Sequence, residues 1–181
     1  EGVIKGVETV RSGAPDLPLL APWEPQQGPL ILGDWLLIIE PIISDLSTSA
    51  SMWWKTSVSA AEAWYKVHMA LSPLDRIQHK VETPEEVLQQ KWERLERRVA
   101  TMLLQALPQE VRGELVAARR LTTFGVITHL LVTYSPGGIS EKQNLLRNLE
   151  DPLEIQTVQD GPAALRRWRS EERRVGKECR S

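Results

Sequence analysis

Apolar residues recur along this chain at steps of three and four, the spacing of one face of an α-helix. Trp35, Ile38, Ile39, Ile42 and Leu46 predict a first helix, with Asp34 as the N-cap whose carboxylate takes a free backbone N–H. Pro41 falls off that face and is expected to kink or break the helix by removing the bond to the Leu37 carbonyl. After a serine-rich turn at 47–51, a second helix is expected from about 52 to 71, stopping at Ser72-Pro73. Trp54, Val58, Ala61 and Tyr65 line one stripe of it, and Trp53, Ala60, Trp64, Val67 and Leu71 line the next. So wide an apolar arc implies contact with two helices and a central place in the fold.

Thr83-Pro84-Glu85-Glu86 reads as a capping box with proline at the first helical position. From it Leu88, Trp92, Leu95, Val99, Met102 and Ala106 predict a third helix that ends at Leu107-Pro108. Glu93 and Arg97 form a favourable pair on its solvated side. Pro108 can open a fourth helix, with Val111, Leu115 and Ala118 inward and Arg112, Arg119 and Arg120 outward, weakened by Gly113. A fifth, over 123–134, places Phe124, Ile127, Leu131 and Tyr134 on one side before the turn Ser135-Pro136-Gly137-Gly138. Ser140 with Gln143 can cap a helix carrying Leu145, Leu146 and Leu149, and Thr157 can cap a last one through Leu165 and Trp168. No stretch alternates with the period of a strand. The expected fold is all-α, a compact bundle of about six to seven helices.

The two ends differ from this middle. Residues 1–30 hold five of the 12 prolines among Gly, Gln and Glu, and read as a flexible, unpacked leader. With no basic segment before an apolar run, a signal peptide is not expected, and no apolar stretch approaches the length of a membrane span. The chain, lacking an initiator Met and stopping just after a helical-looking stretch, reads as a fragment of something longer. Residues 169–181 resemble the in-frame translation of a sequencing adapter at all 13 positions, so they are read as an artefact tail. The credible helical domain is then 31–168. Excluding the tail removes Cys179, the single cysteine, and with it disulfide and thiol chemistry. The net charge shifts from −2 to −4, because the tail carries 5 of the 22 Lys+Arg and 3 of the 24 Asp+Glu. A mildly acidic domain is a poor nucleic-acid binder by itself.

Chemistry is sparse. His68, His79 and His129 lack the i,i+4 spacing of a metal pair, so they read as scattered histidines and no metal or cofactor is expected. There is no Gly-x-Ser-x-Gly elbow, no phosphate loop and no Asp-Ser/Thr-Gly motif, so this segment is not expected to be an enzyme. Arg119, Arg120, Arg166 and Arg167 could meet RNA or another anion, but helix-end cations more often serve the helix dipole. Five of the seven tryptophans lie between Gly33 and Trp92. Their helical spacing, without interleaved Lys/Arg, favours anchors in a core over a stacking platform for bases. The expected anchors are Trp35, Trp53, Trp54, Trp64, Tyr65, Trp92, Tyr134 and Trp168.

The order of these residues resembles the Gag capsid region of copia-type retrotransposons. The resemblance rests on Gly33-Asp34-Trp35-Leu36 with Pro41 and Ser44-Asp45-Leu46-Ser47, on Trp53-Trp54, Trp64-Tyr65 and Leu71-Ser72-Pro73-Leu74, and on Trp92 with Arg94-Leu95-Glu96. It continues through Met102-Leu103-Leu104, Ala106-Leu107-Pro108, Tyr134-Ser135-Pro136-Gly137-Gly138 with Glu141-Lys142, Leu145-Leu146 with Leu149, and Ala164-Leu165-Arg166-Arg167-Trp168. It implies a structural, intracellular protein that self-assembles as a homo-oligomer into the capsid of a virus-like particle. Element RNA would be packaged through a nucleocapsid segment downstream, and protease, integrase and reverse transcriptase would lie elsewhere in the polyprotein. The alternative is a co-opted helical module that binds nucleic acid or protein without enzymatic activity.

Overall fold

The computed structural model describes residues 8–11, 13–24 and 27–134, all within the first of two units into which the chain divides, Glu1–Pro136. Six α-helices follow one another: α1 Gly28–Ser44, α2 Ala50–Ala70, α3 Pro73–Gln78, α4 Glu93–Ala106, α5 Gln109–Ala117 and α6 Thr123–Tyr134, with a 3₁₀ turn, Gln90–Trp92, leading into α4. Among the described residues there is no strand, so the all-α expectation holds. The helices expected around Ser140 and Thr157, together with Trp168, Arg166, Arg167 and the tail, lie outside the described residues.

The expected 123–134 helix is found at those bounds as α6, and it is the hub of the fold. It packs against α1, α2 and α4, while α2 packs against α1 and α6. Nine of its twelve residues are buried, including Phe124, Val126, Ile127, Leu130, Leu131 and Tyr134. A helix apolar on all sides belongs in an interior. The buried hydroxyl of Thr128 donates back to the Phe124 carbonyl at 2.9 Å, so it needs no partner from another helix. The second helix therefore has the two neighbours its arc implied, but α6 takes the central place.

Several local expectations change. Helix α1 opens six residues before Asp34: the Gln27 and Gly28 amides donate to the Glu24 carbonyl at 3.2 and 2.7 Å, and Pro29 falls in the first turn, where a missing N–H costs nothing. The extra turn buries Leu32, so the inward stripe is Leu32, Trp35, Ile39 and Ile43, continued by Leu46, and Ile38 faces outward. Pro41 does not end the helix, which continues to Ser44; Pro41 and Leu37 lie on its exposed side, where water can take up the freed carbonyl.

The capping box at Thr83 also fails. Pro84 starts only one turn, with the Val87 and Leu88 amides donating to its carbonyl at 3.0 and 3.3 Å, and helix resumes at Gln90. The reason is Val87: it is buried, and its carbonyl accepts the indole N–H of Trp53 at 3.4 Å, which a continuous helix with Leu88 inward would not allow. Leu88 is exposed instead. Beyond Ser72 the chain forms the short α3, its first turn capped by the Ser72 hydroxyl, which accepts the Asp75 amide at 3.3 Å. Pro108 proves to be the N-cap of α5, and Ala118, expected inward, is exposed.

A further change concerns the leader, which is not an unpacked linker where it is described. Leu17 and Leu20 are buried, and Val10 and Ala14 pack on the same core. The Leu20 amide donates to the Ala106 carbonyl at 2.8 Å, and the Arg11 amide to Leu46 at 2.9 Å. Its prolines keep it extended, and its leucines give it something to bury. It is a strap across the helices.

Candidate assembly interface

The anchors expected from the sequence are placed as follows. Trp35, Trp53, Trp54, Tyr65, Trp92 and Tyr134 are buried, and Trp64 is half-buried. Their polar ends define what they hold. The Trp35 indole N–H donates to the Pro18 carbonyl at 2.7 Å, Trp53 to Val87, and Trp64 to Lys80 at 3.0 Å. All three acceptors are in non-helical chain. Trp92 donates to the Ser49 hydroxyl at 2.6 Å, joining the start of α4 to the start of α2, while the Lys91 ammonium lies 4.0 Å from the Trp92 ring centroid. The Tyr134 hydroxyl donates to the Ala21 carbonyl at 2.8 Å, and burial pushes its pKa up. The indoles thus fasten strap and connections onto the helices, as well as filling space between them.

Ser49 is also the meeting point of the strap and α2. Its amide and hydroxyl donate to the Glu8 carboxylate, which accepts from Thr48 at 3.0 Å as well. Burial raises the Glu8 pKa, but these hydrogen bonds outweigh it and hold the carboxyl below its usual value.

The histidines expected to be scattered are not all so. The Trp64 ring stacks on both His68 and His79, with centroids 4.8 and 4.7 Å away and planes inclined by 14° and 4°. The imidazole centroids are 5.5 Å apart and the two Nδ1 atoms 3.3 Å apart, within hydrogen-bond distance, with the tautomer deciding which ring donates. Burial first, then the charges of His79, Arg76 and Arg120, hold the His68 pKa below its usual value. Spacing of eleven residues concealed this pair, which exists because the chain leaving α3 returns to α2, where the Lys80 carbonyl accepts the Trp64 indole N–H. His129 lies apart, 3.0 Å from the Glu114 carboxylate. Among the described residues no group of three or more His, Cys, Asp or Glu is placed to hold a metal ion.

The candidate RNA contacts Arg119 and Arg120 have a local structural task. The Arg119 amide donates to Val116 at 3.1 Å and the Arg120 amide to Leu115 at 3.0 Å, the two bonds that close a helix C-terminus. Arg119 takes a left-handed φ of 54°, the conformation such an ending requires. Arg120 is half-buried and lies close enough to His68 to act on it electrostatically.

Two helices leave apolar side chains uncovered. Helix α1 carries only two charges, Asp34 and Glu40, in 17 residues, yet Leu37 and Ile38 are 67% and 56% exposed beside exposed Pro41. Helix α3 buries no residue, and its Leu74 and Ile77 are 71% and 83% exposed. Among the described residues no helix is long and apolar enough to cross a membrane, so a bilayer-spanning helix does not account for these faces. No protein-family model matches the chain, and neither a curated protein nor a solved structure matches it.

Proposed function

We propose that this chain is a self-assembling structural protein of the capsid type, the Gag-like shell subunit of a copia-type retrotransposon, working inside the cell as a homo-oligomer around element RNA. The observation that carries the reading is the outer face of α1. A largely apolar helix, left with Leu37 and Ile38 open to solvent, is half of an apolar contact. The separate apolar knob of α3 supports the reading, since head-to-tail assembly needs two different patches on one subunit. The ordered tryptophan and turn residues that resemble copia-type Gag supply the element and its RNA. A nucleic-acid-binding module is less well supported, because the charge balance is acidic.

The test is sedimentation of the full chain over a range of concentration and salt. Wild type is expected to associate as concentration rises, and Leu37→Asp/Ile38→Lys to shift toward monomer with an unchanged circular dichroism spectrum. A wild-type protein that is monomeric throughout would refute the proposal.

A further inference from the structure

The strap is fastened to the helical body entirely by contacts that any copy of that body can supply. Glu8 and Arg11 donate backbone N–H groups to Lys91 and Leu46 at 3.1 and 2.9 Å, and Leu20 donates to Ala106. In return the Pro18 and Ala21 carbonyls accept from the Trp35 indole and the Tyr134 hydroxyl. Leu17 and Leu20 occupy buried positions between these bonds. Every one of these partners lies on the far side of one short link, residues 22–27. A segment held in this way can move to a second molecule and regain all of its contacts, with only the link changing conformation.

The described ends of the link show how it is closed. Closed, the Gln27 and Gly28 amides both donate to the Glu24 carbonyl, and the Trp23 indole packs so tightly on Gly28 that a Cβ there would lie 2.6 Å from its Cδ1. Trp23 remains 48% exposed, so about half of its surface is covered in the closed form. Pro22, at the start of the link, favours extended chain, the form an open link needs.

We infer that the strap is exchanged between copies: residues 8–21 of one chain dock across Trp35, Ala106 and Tyr134 of another. The second copy is the favoured occupant because complementarity is already complete, with Leu17 and Leu20 seated and both acceptor carbonyls matched to a donor. The inference rests on the self-association proposed above and names the segment that carries it. Reciprocal exchange closes a dimer, while head-to-tail exchange links an open series.

The experiment uses the full chain with the photoreactive residue p-benzoylphenylalanine in place of Leu19, which is 78% exposed between the two anchoring positions Pro18 and Leu20. This chain, at natural isotope abundance, is mixed with an equal amount of uniformly ¹⁵N-labelled wild type in urea, refolded, irradiated and digested. Exchange gives cross-linked peptides from around Trp35 or Ala106 of which about half are heavy. The Gly28→Ala chain, in which the added Cβ displaces Trp23 and opens the link, should raise the heavy share toward that limit if wild type falls short of it. Light-only products from both chains overturn the inference. Sedimentation of the same samples separates the two failures: oligomers with light-only products leave assembly standing through another face, whereas monomers throughout remove both.

Discussion

Single side chains in this fold act mostly by tying one kind of segment to another, and Glu96 is a case in which the tie has a pH dependence. Its Oε1 accepts the amide of Thr123, the first residue of α6, at 2.7 Å. Burial pushes the carboxyl pKa up, against the hydrogen bonds from Thr123 that lower it. The folded chain therefore holds this proton more tightly than the unfolded chain does. Its contribution to stability is full below the usual carboxylate pKa and is lost as pH rises through the raised one. Glutamine retains the acceptor for Thr123 and removes the titration. Glu96→Gln is thus expected to gain on wild type in unfolding free energy between about pH 4 and about pH 7. Urea unfolding followed by tryptophan fluorescence at both values measures the difference; a difference that stays constant, or moves toward wild type, contradicts the account.

At the scale of elements, periodicity made α2, most of α4 and all of α6 legible, because each buries a continuous stripe that sequence spacing displays. The misreadings have one physical origin. Thr83, Pro84 and Glu86 satisfy every local rule for a helix start, but the Val87 carbonyl is claimed by Trp53, 34 residues away, and the helix waits until Gln90. Asp34 satisfies the rule for an N-cap, but Leu32 has core to bury, so α1 begins earlier. The His68–His79 contact and the role of Pro18 as an acceptor for Trp35 likewise depend on partners distant in sequence. Local propensity is worth about 1 kcal/mol per cap, and burial of one large side chain about twice that, so tertiary contacts decide. The two scales can be separated at this turn. Thr83→Ala and Glu86→Ala should each cost less than about 0.5 kcal/mol, well below the loss of a working cap. Val87→Ala should cost about 2 kcal/mol through lost burial. Equal losses at Thr83 and Val87 in chemical denaturation would restore the capping box.

For the molecule as a whole, the strap decides where the domain begins. Composition marked residues 1–30 as a linker because proline and polar residues dominate the count, but two leucines at the right positions outweigh the average. Leu17 and Leu20 each contribute roughly 2 kcal/mol by burial. The Trp35 and Tyr134 bonds to the strap contribute about 1 kcal/mol each, and losing the strap also leaves those two donors without their acceptors. A loss of about 6 kcal/mol is comparable to the entire stability of an ordinary domain. A chain starting at residue 22 should therefore lose its near-ultraviolet tryptophan circular dichroism and cooperative urea transition while keeping much of its helical signal, the signature of a core without fixed packing. Adding a peptide of residues 8–21 in trans should restore both signals, because the contacts it makes are non-covalent. Were residues 1–21 only a flexible arm, the shortened chain would unfold at the same urea concentration as the full one, and the peptide would change nothing.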